Sequence, residues 1–232
     1  MNKGAFFTSI NSAADILRKL KFLKDRRQIL IGQYSQASLE IANCGDLKTI
    51  YDIAIDNRDY ELLLDDDSIF QFNKNGDSYR YAFIQSHVTY YSFLDFLAEI
   101  FDEDEIPKDN DSLEEIRIDY AEDYEQRRNE QKLNLGAMYI RYDADAKGYR
   151  PNFHSYAHFH IGINNSFRLP SSIILTPLSF VLFVLKHVYI SLWEIALKER
   201  IINDEIFQFK QLCENVPEDL WCQQEKMEFY IT

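Results

Sequence analysis

The chain is poor in the residues that punctuate, staple or break a polypeptide: 232 residues hold 7 glycines, 5 prolines and 3 cysteines. No internal repeat or low-complexity tract appears, and with 46% hydrophobic and 15% aromatic residues the composition is that of a folded globular chain. The cysteines, Cys44, Cys213 and Cys222, are odd in number and lack a CxxC spacing. That pattern supports neither a disulfide framework nor a zinc cage, and fits a reducing compartment. No charged start followed by an apolar run opens the chain, so a secretory signal is not expected. The longest apolar run, Ile173 to Leu197, is interrupted by Pro177, Lys186, His187 and Glu194. Charge at mid-span is costly in lipid. The run therefore reads as a buried core helix, and the protein as cytoplasmic, without a membrane partner.

Positive charge is also scarce. The formal net charge is -13, and Asp102 to Glu125 alone carries twelve carboxylates against Lys108 and Arg117. Met1 to Leu30 runs the other way, with seven basic residues against Asp15 and Asp25. The whole chain is a poor candidate for tight nonspecific duplex binding. The acidic stretch is either a solvated loop or an arm that docks on a basic partner or blocks a nucleic-acid groove.

Periodicity divides the chain into an N-terminal helical region, residues 1–56, and an α+β region, residues 57–232, with an acidic insert at about 102–125. Ser12 can cap a helix with an Ala13, Ile16, Leu20, Leu23 stripe. A second helix is expected from Gln33 to about Ala42, and a third after an Asp46 N-cap. The period then shortens. Tyr60–Leu64, Ser68–Asn73 and Ser78–Gln85, separated by Asp- and Asn/Gly-rich turns, read as an antiparallel meander. Thr89 can cap a helix to about Phe101 burying Phe93, Leu94, Leu97 and Ile100. Ser112 and Glu115 can form a capping box for a second helix in the acidic segment. Thr176-Pro177 starts a long apolar helix to about Ile201, on which the sheet should pack. A helix from Asp204 to Cys213 and a last strand, Met227 to Ile231, complete the expectation.

The chemistry concentrates between Ala137 and Pro170, which holds three of the five histidines. Strand alternation over Met138–Asp145 puts Tyr139, Arg141, Asp143 and Asp145 on one face. Over Phe153–Asn164 it puts His154, Tyr156, His158 and His160 opposite Ala157, Phe159, Ile161 and Ile163. If the two strands pair, an Arg-Asp row lies beside a histidine row. His158, His160 and Asp143 could ligate a divalent metal such as manganese, magnesium, zinc or iron, and activate a water for phosphodiester cleavage. Without metal, the histidines could act as acid and base, with Arg141 or Arg168 stabilising a phosphorane. His154 is a lesser candidate. The same row could also be a solvated or partner-facing surface, or a sensor. His187 reads as a core histidine.

Several stretches together carry a family resemblance: Asn57-Arg58-Asp59-Tyr60 followed by ELLLDDDSIFQF, then IRYDAD, HFHIG, FRLP and LTPLSFVLFVLKHVY. In order and spacing, over about Tyr51 to Tyr189, they resemble the bacterial family of domain of unknown function 2290. The resemblance implies a helicase-type ATPase partner and a role in phage defence. A shorter stretch, Arg141-Tyr142-Asp143 and the following histidines, is similar to the signature of TumE-type toxins, at a different spacing. The expected function is an accessory or effector subunit of a defence system, with a candidate nuclease site and nucleic acid reached through the partner. The alternative is a non-catalytic subunit that holds its partner inactive through the acidic segment.

Overall fold

The computed structural model describes residues 1–27, 34–35, 45–88, 92–102, 104–107, 109–129, 136–163, 167–202, 213–228 and 230–231. Two compact units are present, Met1–Gln85 with Met138–Thr232, and Ser86–Ala137. The larger unit is built on a seven-stranded antiparallel sheet whose spatial order is its chain order, giving the α+β class expected. The strands are β1 (Leu23–Arg26), β2 (Leu62–Leu64), β3 (Ile69–Asn75), β4 (Ser78–Ile84), β5 (Tyr139–Ala144), β6 (Ala157–Ile161) and β7 (Arg168–Pro170). β3 and β4 join through a tight turn in which Gly76 takes φ +59°. A side chain strains that backbone, so glycine belongs there. A second sheet pairs β8 (Ile173–Ile174) with β9 (Glu214–Asn215).

Helix α1 (Lys3–Lys19) starts earlier than the Ser12 cap predicts. Asn2 is its N-cap, accepting from Ala5 N at 2.9 Å, while the Ser12 hydroxyl donates to the Thr8 carbonyl inside the helix. The apolar period explains the difference, because Phe6 and Ile10 extend the buried face of Ala13 and Leu17 upstream. Lys21 at φ 54° and the Phe22 N–H to Leu17 carbonyl bond close the helix, so Leu23 belongs to β1 and not to the helical stripe. Of the expected helix over Gln33–Ala42 only Tyr34 and Ser35 are described, and neither is helical; the rest lies outside the described residues. Helix α2 (Leu47–Asp56) follows its Asp46 cap as read, with Thr49 N donating to the carboxylate at 2.9 Å.

The apolar run after Thr176 does pack on the sheet, but it is not one helix. α6 (Pro177–Val188) and α7 (Ile190–Lys198) meet at Tyr189 with a bend of 111°. Thr176 and Ser179 form the capping box, with Pro177 in the first turn. Tyr189 leaves the helical region at φ -114°, ψ 59°; its ring packs on Phe22 at 5.0 Å and its hydroxyl donates to Asp66 at 2.6 Å. Burial of that ring and its bond to a buried carboxylate favour turning the chain over continuing the helix. No single helix among the described residues is long and apolar enough to cross a membrane; the bent pair passes only by combined length and composition.

One sheet face forms the main core. Phe70, Phe72, Tyr81, Tyr142 and Phe159 meet Phe6 and Leu17 of α1 and Phe180 and Val184 of α6. Each such side chain, fully buried, stabilises the fold by about 1.5–3 kcal/mol. The opposite face is divided. Ile69, Ala82, Ile84 and Tyr139 pack under Ile50, Tyr51 and Ala54 of α2. The rest of that face bears the polar residues of β4–β7.

The second unit contains α3 (Phe93–Ile100), α4 (Asn110–Asp119) and α5 (Ala121–Asn129). Ser92 caps α3 in a box with Asp95, and Thr89 lies outside the described residues. The buried face is Phe93, Phe96 and Leu97; Leu94 lies off that i, i+3, i+4 face and is exposed, and Ile100, which continues the face, is the last residue of the helix and is exposed as well. Asp109, not Ser112, caps α4, its carboxylate accepting from Ser112 N at 2.9 Å. Leu113, Ile116 and Tyr120 join Tyr124 in this core. Near the C-terminus, the helix expected over Asp204–Cys213 lies outside the described residues apart from Cys213, its last residue. Instead of a strand over Met227–Ile231, Glu225–Met227 is a 3-10 turn and Ile231 makes one isolated bridge to Ser171.

Candidate functional site

The register of the four central strands builds the site. β4 pairs with β5, β5 with β6 and β6 with β7, so that Ala82, Arg141, His160 and Arg168 form one cross-strand row. Arg80, Asp143 and His158 form the adjacent row, two residues along every strand. A two-residue offset keeps both rows on the same face. Arg141, Asp143, His158 and His160 are 2–8% exposed, and the rows open into a cleft of about 350 Å³ whose walls include Arg80, His154 and Arg168.

The polar contacts are dense. Asp143 accepts from Arg80 Nε on Oδ1 and from Arg141 Nε on Oδ2, each at 2.9 Å. His160 Nε2 lies 3.3 Å from the same Oδ2. His158 and His160 bring their Nε2 atoms to 2.9 Å. The Nδ1–H of His158 donates to the Ser155 carbonyl at 2.9 Å, which leaves its Nε2 as a bare lone pair. His160 Nδ1 is buried without a hydrogen-bond partner, and so is His154 Nδ1. A buried polar atom left unpaired costs about 1–3 kcal/mol, and such costs gather at working sites.

Electrostatics set the protonation states. Burial lowers the pKa of both paired histidines, His158 to about 4, and the neighbouring Asp143 only partly opposes this. Both rings are therefore neutral near pH 7. Burial works against the Asp143 carboxylate too, but the contact with His160 and the charges of Arg141 and Arg80 outweigh it and hold its pKa well below the ordinary range. Neutral imidazoles, an ionised carboxylate and two outward guanidiniums then share one cleft. They can move protons, hold a cation or bind an anionic oxygen.

The structure brings together all five residues singled out from the sequence: Arg141, Asp143, His158, His160 and Arg168. His154 is there by a different route. It sits in a turn bridged to Arg150, not on β6, and its ring meets His158 at 4.6 Å. Gly148 makes this possible, since a Cβ there would stand 3.2 Å from His154 Cε1. Tyr156 departs from the expected histidine row and joins the main core, because regular alternation starts only at Ala157. His187 packs on Phe183 at 4.8 Å, outside the cleft. Sequence reading missed Arg80. Its signal is the alternation in SYRYAFI, where Ser78, Arg80 and Ala82 oppose Tyr79, Tyr81 and Phe83. Neither that pattern nor any spacing says that β4 lies beside β5.

A search of curated proteins finds no match to this chain, and a search of solved structures finds none either. The family model described as "Uncharacterized conserved protein (DUF2290)" matches residues 17–231, a span that takes in every strand of the sheet and every residue of the cleft. The chain belongs to the DUF2290 family.

Proposed function

We propose that this cleft binds and cleaves phosphodiester bonds, and that the chain is the effector subunit of a defence assembly working with a helicase-type ATPase. The observation that carries the chemical part is the pair of adjacent rows, which sets exposed guanidiniums of Arg80 and Arg168 on either side of the buried His158–His160–Asp143 group. Guanidinium forks match phosphate oxygens and offset the charge that develops on a phosphorane. The buried group faces the phosphorus between them and activates the attacking hydroxyl, while Asp143 keeps Arg141 and His160 in place. The helicase partner and the defence role rest on the family resemblance, and nucleic acid would be presented by that partner.

The test is cleavage of labelled RNA, single-stranded DNA and duplex DNA by the purified chain, alone and with a helicase-type ATPase partner. A His158→Ala/His160→Ala variant serves as the control. Cleavage that the variant loses supports the reading. An intact complex that cleaves nothing overturns it, and favours a regulatory subunit acting through its acidic segment.

A further inference from the structure

We infer that His158, His160 and Asp143 form the protein face of a divalent transition-metal site, open on its other side to the arginine-lined cleft. This deepens the phosphodiesterase reading and rests on it for the identity of the outer ligand, an anionic phosphate oxygen or the water that attacks it.

Three donor atoms converge. His158 Nε2 and His160 Nε2 are 2.9 Å apart, His160 Nε2 and Asp143 Oδ2 are 3.3 Å apart, and all three lie within 4.8 Å of one another. Two ligands about 2.1 Å from one ion are about 3.0 Å apart at a right angle and about 3.4 Å apart at the tetrahedral angle. The His158–His160 and His160–Asp143 spacings match those of neighbouring ligands on a single ion.

The surroundings are those that ligands need. The Ser155 carbonyl takes the Nδ1–H of His158 and so points its Nε2 lone pair at the centre. A backbone acceptor on the far nitrogen is the usual way a metal-binding histidine is oriented. Asp143 Oδ1 is occupied by Arg80, and Oδ2 accepts from Arg141 while retaining a second lone pair toward the histidines. The carboxylate is thus set to bind through one oxygen. His160 must carry its proton on Nδ1 to join, giving up its Nε2–H contacts with His158 and Asp143, which the bonds of all three groups to the ion replace.

Two imidazoles and one carboxylate on one side of an ion, with the remaining positions open, suit zinc, manganese or ferrous iron. Magnesium and calcium prefer oxygen-only sets. The Arg80 and Arg168 guanidiniums next to such a cation call for an anion in the open positions, which agrees with a phosphate substrate.

The experiment uses the untagged full chain, stripped with a chelator and dialysed against zinc, manganese, cobalt or magnesium, with bound metal counted and the visible spectrum of the cobalt form recorded. One equivalent of a transition ion is expected, with magnesium failing to compete. His158→Gln and His160→Gln should each weaken binding at least tenfold, and His187→Gln should leave it unchanged. Circular dichroism checks that each variant is folded. Imidazole nitrogen shifts in the unmutated chain, moving for His158 and His160 on adding zinc and not for His187, give the same answer without mutation. Substoichiometric uptake, or uptake that the glutamine variants retain, overturns the site. One equivalent bound without cleavage of any nucleic acid upholds the metal site and removes the phosphodiesterase reading. Cleavage by a chain that takes up no transition ion does the reverse.

Discussion

His158 and His160 hold their Nε2 atoms 2.9 Å apart on one face of a strand, closer than two bare ring nitrogens can rest. Something positive has to lie between them, whether a proton or a metal ion, and the two rings act as one unit. Replacing either by alanine should lower cleavage by about 10²–10⁴, the range that proton-transfer groups supply. The double variant should be little worse than the singles, since members of one unit are strongly non-additive. Single-turnover rates of the three variants check this.

The two arginines on Asp143 should differ sharply in what they contribute. The Arg141 side chain is 5% exposed and ion-paired with Asp143, so Asp143→Asn should destabilise the fold by about 3–5 kcal/mol. Arg80 is half exposed, and Arg80→Ala should cost no more than about 1 kcal/mol. Urea denaturation of the two variants separates these outcomes. Equal losses would mean that the burial of Arg141 does not control the energetics here.

At Gly148 the prediction is local. A methyl group there meets His154 Cε1 at 3.2 Å, and the ring must swing away to admit it. Gly148→Ala should lower cleavage several-fold while shifting the denaturation midpoint little, because the ring can yield toward the open cleft. A large stability loss with unchanged activity would place His154 outside the working site.

Much of this site was legible because strand alternation is a local property. IRYDAD and HFHIG each put their polar residues on one face, whatever lies around them. The same holds for caps at Asp46 and Thr176, where a side chain and its own next turn decide the matter. What failed depended on distant residues. The break at Tyr189 is set by Asp66 and Phe22, more than a hundred residues earlier, and Arg80 reaches Asp143 across 63 positions. Ser12 was misread for a simpler reason: an adequate cap upstream, Asn2, lets the apolar face begin sooner.

A pH effect should come from a residue that does not line the cleft. Glu61 is 4% exposed, with Tyr34 and the Phe72 N–H as donors, and burial raises its pKa to about 8, above an ordinary 4.5. The raised value belongs to the folded state, so the unfolded chain loses this proton first as pH rises. Stability from this group is intact below about pH 4.5 and drains away up to about pH 8. The total is on the order of a few kcal/mol. Glu61→Gln should flatten the stability profile across that window, measured by denaturant titration at each pH. An unchanged slope would show that Glu61 is ionised in the fold.

The sheet is laid down in chain order, and its longest excursion falls between β4 and β5, where residues 86–137 intervene. Every other neighbouring pair from β2 to β7 closes over a short connection, so those hairpins can zip as soon as they are made. The seam between Arg80 and Asp143 must instead wait for two chain ends to find each other across the whole insert. Closure of such a loop grows more costly only with the logarithm of its length, about 0.6 kcal/mol per doubling. The seam that completes the cleft should therefore form late in folding, and the insert that delays it can change in length and sequence at small thermodynamic cost.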